Sequence, residues 1–304
     1  MYMKRIMSVF LAALIAAASA LACPAYVYAD STPYVALGAD LTDEQRSIVL
    51  SLMGVTEEEL KSDTVITVTN AEEHQYLDSY LDASVIGTRA LSSCKVTAEP
   101  AGHGITVEAH NISYLTPSMY VNALATAGMK DASVVVAGPT QISGTAALVG
   151  AMKAYAAMTG TTISEKALDG ANDELVATGE LAQTIGDAEK ASELIAAVKE
   201  AVISNKLKTE EDIKNAILEI ARDLGIQLTE TMIEQLVALM QKLAQLDIDP
   251  DTIVEQAKGI FEKLKNNGLD MEKYGVTKAD EEGFWSVLAG MLRDLIAWFK
   301  GLFG

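Results

Sequence analysis

Hydrophobic positions along this chain change their spacing once, near residue 160. Up to that point short apolar runs alternate with helical patterns; beyond it only helical spacing remains. Tyr34-Val35-Ala36-Leu37 reads as a short strand ending at Gly38. Thr42-Asp43-Glu44-Gln45 is a capping box, in which the Thr42 hydroxyl accepts a backbone N–H and Gln45 reaches back. Ile48, Val49, Leu52 and Met53 then form one apolar helix face. Residues 64–69 (TVITVT) are β-branched throughout and predict a strand. Asn70-x-x-Glu73 caps a following helix that runs to Leu81.

Residues 93–99 and 104–112 predict a β-hairpin turning around Ala101-Gly102. In that register Cys94 faces Ala109, Val96 faces Val107 and Ala98 faces Ile105, all on one face. The other face sets Lys95 opposite Glu108, Thr97 opposite Thr106 and Ser93 opposite His110. A slip of one residue would bury Lys95 and Glu108, so the pattern specifies the register.

Thr116-Pro117 opens a helix through Ala127, with Pro at an early position where its missing N–H costs nothing. Residues 134–137 (VVVA) are continuously apolar and predict a strand buried on both faces, ended by Gly138-Pro139. Ser143 starts a helix rich in small residues, from Gly144 to Ala154, which suits close packing on a sheet. After Gly160-Thr161-Thr162, helices are expected at about 164–178, 188–204, 210–223, 230–246, 250–266 and 281–303. The fold class is therefore α+β. An N-terminal α/β domain (30–162) has a mixed sheet containing a β-hairpin, followed by an α-helical domain (163–279) and an amphipathic C-terminal helix (280–304).

Residues 1–29 form a separate signal. Lys4 and Arg5 precede an uncharged apolar run from Ile6 to Ala22, and Val27-Tyr28-Ala29 supplies an A-x-A-like site before Asp30. The run is short and wrongly flanked for a membrane span, so it reads as a secretory signal peptide. Lipidation at Cys23 is the alternative, but Ala20 stands where such sites favour Leu. The expectation is a secreted protein, extracellular or associated with the cell envelope.

Net charge is -19, and becomes -21 once Lys4 and Arg5 leave with the leader. Such a surface repels phosphate backbones, which argues against nucleic acid as a partner and leaves weak divalent cations as possible ones. Cys94 would be the sole cysteine of the mature chain, so core burial and not a disulfide must stabilise it.

Several segments also carry a resemblance. Residues 115–124 (LTPSMYVNAL), 127–132 (AGMKDA) and 143–148 (SGTAAL), with 38–41 (GADL) and 178–181 (TGEL), resemble the YpuA-like family of secreted Firmicute proteins. That family has no assigned activity. The resemblance implies secretion and this two-part layout, and it transfers no catalytic residue.

No catalytic constellation emerges from the residues themselves. Ser92-x-x-Lys95 fits a penicillin-binding nucleophile motif, but strand alternation sends the two side chains to opposite faces and the companion motifs are missing. His103 shares the face of Cys94 yet lies on the order of 20 Å along the hairpin, out of reach as a base. His74, His103 and His110 have no zinc spacing, so no metal ligands and no cofactor are assigned. The acids at 247, 249 and 251 lack the glycine and the terminal acid of a calcium loop; Asp249 and Pro250 instead start a helix. The junction at 138–145 (GPTQISGT) is the place where backbone and hydroxyl donors could hold an anion or small ligand, with Thr140, Ser143 and Thr145 as candidates. His110 joins them as a candidate from the polar sheet face.

The last 21 residues are the sharpest hint. Phe284, Leu288, Met291, Leu295, Trp298 and Leu302 follow helical spacing, and Trp285, Leu292, Phe299 and Phe303 widen the stripe. Both tryptophans of the chain lie here, with Arg293 and Lys300 off the stripe. A broad aromatic face beside basic residues suits an interfacial helix that meets a membrane surface or a protein partner. The expected function is a non-catalytic binding protein of the cell envelope; the alternative is a secreted hydrolase using carboxylates on envelope material.

Overall fold

A computed structural model describes residues 32–61, 64–246, 248, 252 and 253. Among them the sheet has five strands: β1 (Tyr34–Gly38), β2 (Thr64–Val68), β3 (Ser93–Ala98), β4 (Ile105–Ile112) and β5 (Ala132–Ile142). Their spatial order is β2-β1-β3-β5-β4. β1 and β2 are parallel, β3 runs antiparallel to both β1 and β5, and β4 is parallel to β5. The sheet is mixed, as expected.

The hairpin is not there. β5 lies between β3 and β4 and takes the ladder hydrogen bonds that each was expected to give the other. The alternation nevertheless points the right way. Cys94 pairs with Val136, which pairs with Ala109; Val96, Val134 and Val107 form the next such row. Inserting one strand in register leaves every side chain on its face, so the pattern that suggested a hairpin is equally satisfied by a split one. β5 also continues past Gly138-Pro139 to Ile142, with a register shift opposite Asn111. Asn111 takes a left-handed φ of 58° there, and its side-chain amide donates to the Gly138 carbonyl at 3.1 Å.

Helices cover both sheet faces. α1 (Asp43–Leu52) has the Thr42–Gln45 capping box in place and packs with β1 and β5 in a small core of Val35, Leu37, Val49, Leu50, Met53 and Ala137. Ile48, expected on that face, is exposed. On the opposite face lie α2 (Asn70–Leu77), the single turn α3 (Ala83–Ile86), α4 (Pro117–Thr126) and α5 (Thr145–Thr159), over the larger core around Val96, Tyr120, Leu124, Val134 and Leu148. Small residues bring α5 close: a Cβ on Gly150 would lie 2.7 Å from that of Ala36.

Beyond the sheet come α6 (Glu165–Ile185), α7 (Ala188–Ser204), α8 (Glu210–Asp223) and α9 (Glu230–Leu243). The helical C-terminal region is thus as the spacing predicts, although α6 extends to Ile185. α6 joins the two parts of the structure. Its Ala171 and Leu175 belong to the sheet core, and its Leu181 opens a second core with Ile195, Ile217, Leu236 and Met240. Where α4, α6 and α7 meet, Lys199 is fully buried and its ammonium donates to Glu174 at 2.7 Å, to the Thr126 hydroxyl at 3.0 Å and to the Asn122 carbonyl at 3.2 Å.

The helix expected at 281–303 and all but Thr252 and Ile253 of that expected at 250–266 lie outside the described residues, as do the leader and the acids at 247, 249 and 251. Among the described residues no helix is long and apolar enough to cross a membrane, and no group of three His, Cys, Asp or Glu could hold a metal ion.

Candidate functional site

The strand-to-helix junction after β5 opens onto a cleft of about 420 Å³. One wall is α3 and the segment after it, from Ser84 to Arg89; the other is the end of β4 and β5 with the start of α5. Two of the four junction and sheet candidates meet here. Ser143 is half-buried in the lining and Thr145 is buried beneath it, their hydroxyl oxygens 3.3 Å apart. Thr140 is not in the lining: β5 continues through it and leaves it exposed. His110 is also elsewhere, on the sheet, its Nε2 3.1 Å from Glu108 Oε1.

The helix does not begin at Ser143. Its N-cap is Gly144, at φ 99°, which offers no capping side chain. The third helical N–H, that of Ala147, donates instead to Ser92 Oγ at 2.9 Å, so a residue from the approach to β3 caps α5 from outside. The Tyr120 hydroxyl, fully buried, donates to the Gly144 carbonyl at 2.7 Å. Ser92 therefore has a structural job, and the motif it makes with Lys95 has none.

Three residues of this cleft escape sequence reasoning. Glu73 is the first. The capping box of α2 is Thr69 with Glu72, one residue earlier than expected, and Glu73 is released to turn inward. It is 1% exposed, and accepts from the Thr145 hydroxyl at 2.7 Å and the Asn70 amide at 3.2 Å. Burial raises its pKa above the ordinary glutamate value, against the opposing effect of those hydrogen bonds. Arg89 is the second. It is exposed at the cleft wall, and among the described residues it has no carboxylate partner. Ser92 is the third. They come from two segments well before the β5–α5 junction in the chain, and no local pattern marks them for this cleft.

His74, next to Glu73, ties the wall down. Its Nδ1 lies 2.5 Å from Asp78 Oδ1 and its Nε2 3.0 Å from the Gly87 carbonyl. Only imidazolium donates from both nitrogens. The hydrogen bond to Asp78, then that to Gly87, raises the His74 pKa. The contribution of His74 is therefore complete below the unfolded pKa and is lost as pH rises through the higher folded one. We expect the melting temperature of the protein relative to a His74→Gln variant to fall as pH increases through that window; parallel melting curves at all pH values would contradict the two-donor clamp.

This arrangement can hydrogen-bond a polar ligand. Among the described residues Glu73 is the one acid in the cleft lining, and the other carboxyls raised by burial, Glu200 and Glu219, sit on α7 and α8. Cys94 is fully buried and its thiol is pushed up to about 12, so no thiolate nucleophile is presented. Seven hydroxyl-bearing residues, Ser84, Thr88, Ser92, Ser113, Tyr114, Ser143 and Thr145, line or underlie the cleft.

A family model described as "Protein of unknown function (DUF1002)" matches residues 37–260. The chain belongs to this family. The match begins within β1 and spans the sheet, the cleft and the helices through α9. The chain is also 43% identical over 231 residues to the "Uncharacterized protein YpuA" of Bacillus subtilis (strain 168), covering 76% of this chain and 78% of the relative. No solved structure matches it. The DUF1002 match thus agrees with the resemblance found in the sequence, and neither carries an assigned activity.

Proposed function

We propose that this DUF1002 protein is an exported, non-catalytic binding protein of the cell envelope, which holds a small polar ligand in the cleft between α3 and the start of α5. The observation that carries this reading is the convergence of hydroxyls, a buried glutamate and a guanidinium without a carboxylate partner among the described residues on one concavity. Clefts with a few convergent polar groups are where small ligands are held. Export is supported by the sequence of residues 1–29. The hydrolase alternative needs a pair of carboxyls flanking a scissile bond, and among the described residues the cleft lining offers a single carboxyl, Glu73.

The full-length protein should retain a low-molecular-mass component from a muramidase digest of Bacillus cell wall, detected by mass spectrometry after gel filtration. Ser143→Trp, which places an indole in the cleft mouth, should retain none. Equal retention by both proteins would remove the cleft from consideration.

A second attachment is favoured by the sequence of the C-terminal segment, where Phe284, Trp285, Trp298, Phe299 and Phe303 share a stripe with Leu288, Met291, Leu292, Leu295 and Leu302. In this reading the stripe seats the protein on a membrane surface or a protein partner. Full-length protein should float with anionic liposomes and a chain truncated at Glu282 should not. Equal flotation would refute the membrane form of the idea.

A further inference from the structure

The charge balance of the cleft differs from that of the molecule. The whole chain carries -19, so no general field draws an anion to it. Within the lining, however, the two ionisable groups of opposite sign are unequal. Arg89 brings an exposed guanidinium, whereas Glu73 is buried beneath the surface and held by neutral donors. Protonating Glu73 turns the lining from balanced to positive.

The same proton reverses a chain of hydroxyls. Glu73 Oε1 is 2.7 Å from Thr145 Oγ1, which is 3.3 Å from Ser143 Oγ at the cleft surface. With Glu73 ionised, Thr145 donates to it, Ser143 donates to Thr145, and Ser143 turns lone pairs to the cleft. With Glu73 protonated, its O–H donates to Thr145, Thr145 donates to Ser143, and Ser143 turns its own O–H to the cleft. One floor proton therefore converts a surface acceptor into a surface donor in a cleft whose other wall carries the Arg89 donors.

We propose that the ligand of this cleft carries an anionic oxygen group, a carboxylate or a phosphate, which pairs with Arg89 and accepts a hydrogen bond from Ser143, and that its binding takes up one proton on Glu73. This deepens the cleft reading above and rests on it. The other ionisable groups facing Glu73 are His74 on its own helix, Asp40 after β1 and the phenol of Tyr120 on α4; Tyr114, after β4, lines the same cleft. Burial keeps both phenols protonated at higher pH than usual, so neither supplies the proton change. His74 protonates in the same direction as Glu73, and its variant separates the two. By linkage the affinity for an anion rises as pH falls through the Glu73 pKa of the free protein.

The test is calorimetric titration of the full-length protein with D-glucuronate, inorganic phosphate and D-glucose. Glucuronate and phosphate separate the two sources of anionic oxygen, and glucose is the neutral counterpart of glucuronate. The expected result is binding of at least one anion in preference to glucose. Arg89→Ala should weaken it about tenfold or more, the scale of a lost charge-assisted contact, while Arg46→Ala on α1 should leave it unchanged. Glucuronate itself does not titrate above the ordinary carboxylate range, so for it the wild-type affinity should fall as pH rises through the raised Glu73 pKa. Glu73→Gln, which keeps the neutral shape, should bind without that fall, and His74→Gln should retain it. Anion binding indifferent to Arg89→Ala would be general surface binding and would overturn the proposal. So would a flat pH profile in the wild type, which removes the proton. Glucose bound as well as glucuronate, and blocked by Ser143→Trp, would overturn the anionic class while leaving the cleft as a binding site. No binding of any probe, with Ser143→Trp also silent against the wall digest, would overturn both.

Discussion

Replacing Lys199 with Met lowers the unfolding free energy by about 3–5 kcal/mol, the range for removing one member of a buried ion pair. The ammonium has three donors and uses all of them, on Glu174, Thr126 and Asn122. The Thr126 hydroxyl donates in turn to the second oxygen of Glu174. Burial pulls the Lys199 pKa down, and the Glu174 carboxylate opposes that pull. Met fills similar space and leaves Glu174 with a buried charge facing one hydroxyl, which is the source of the penalty. The double variant Lys199→Met, Glu174→Leu removes the stranded charge and should recover most of the loss. Urea denaturation of the three proteins measures both effects. A single-variant loss below about 1 kcal/mol, or a double variant no better than the single one, would contradict the account. Because α4, α6 and α7 meet at this cluster, the loss is felt by both cores.

Gly144→Ala should destabilise by about 3 kcal/mol, from strained backbone added to a steric clash. At φ 99° an L-residue is strained, and an ideal Cβ would sit 2.4 Å from the Tyr120 hydroxyl and 2.8 Å from Ile112 Cγ2. Tyr120 cannot yield without giving up its hydrogen bond to the Gly144 carbonyl. Gly186→Ala is the control: its φ is 75°, and nothing lies within 4 Å of the added Cβ. It isolates the backbone part, about 1 kcal/mol. Thermal or urea melts of the two variants should therefore differ by about 2 kcal/mol, and equal losses would show that the clash is relieved. The comparison bears on the cleft, since Gly144 sits between Ser143 and Thr145.

The elements were more legible than their neighbours. Thr116-Pro117 and Thr42-x-x-Gln45 mark their helix starts because the cap geometry is local. The β-branched run at Thr64–Val68 and the helical stripe from Met232 to Leu243 report backbone preference and burial directly. Strand pairing is different. Alternation says which face a side chain takes, and Cys94, Val136 and Ala109 share one face whether or not a strand lies between the outer two. The missed cap of α2 has a similar origin. Thr69-x-x-Glu72 and Asn70-x-x-Glu73 both satisfy the motif, and the extended φ and ψ of Thr69 decide between them. That one-residue choice is what sends Glu73 to the cleft. Ser143 and Thr145 could be read from the strand-to-helix junction, whereas Arg89 and Ser92 come from a segment with no periodic signature.

The position of β5 has a consequence for a chain made from its N-terminus. Until residue 142 has been synthesised, both flanking strands exist without the one that belongs between them. Their side chains match across a direct β3–β4 pairing, so a growing polypeptide carries the pattern for a local decoy. Reaching the final sheet requires that decoy to be prised apart, or never to close, before β5 threads in. β5 pairs with strands well upstream of it, contacts that close later than a local hairpin would, and a nascent chain stalled before residue 132 would leave β3 and β4 without the strand that belongs between them.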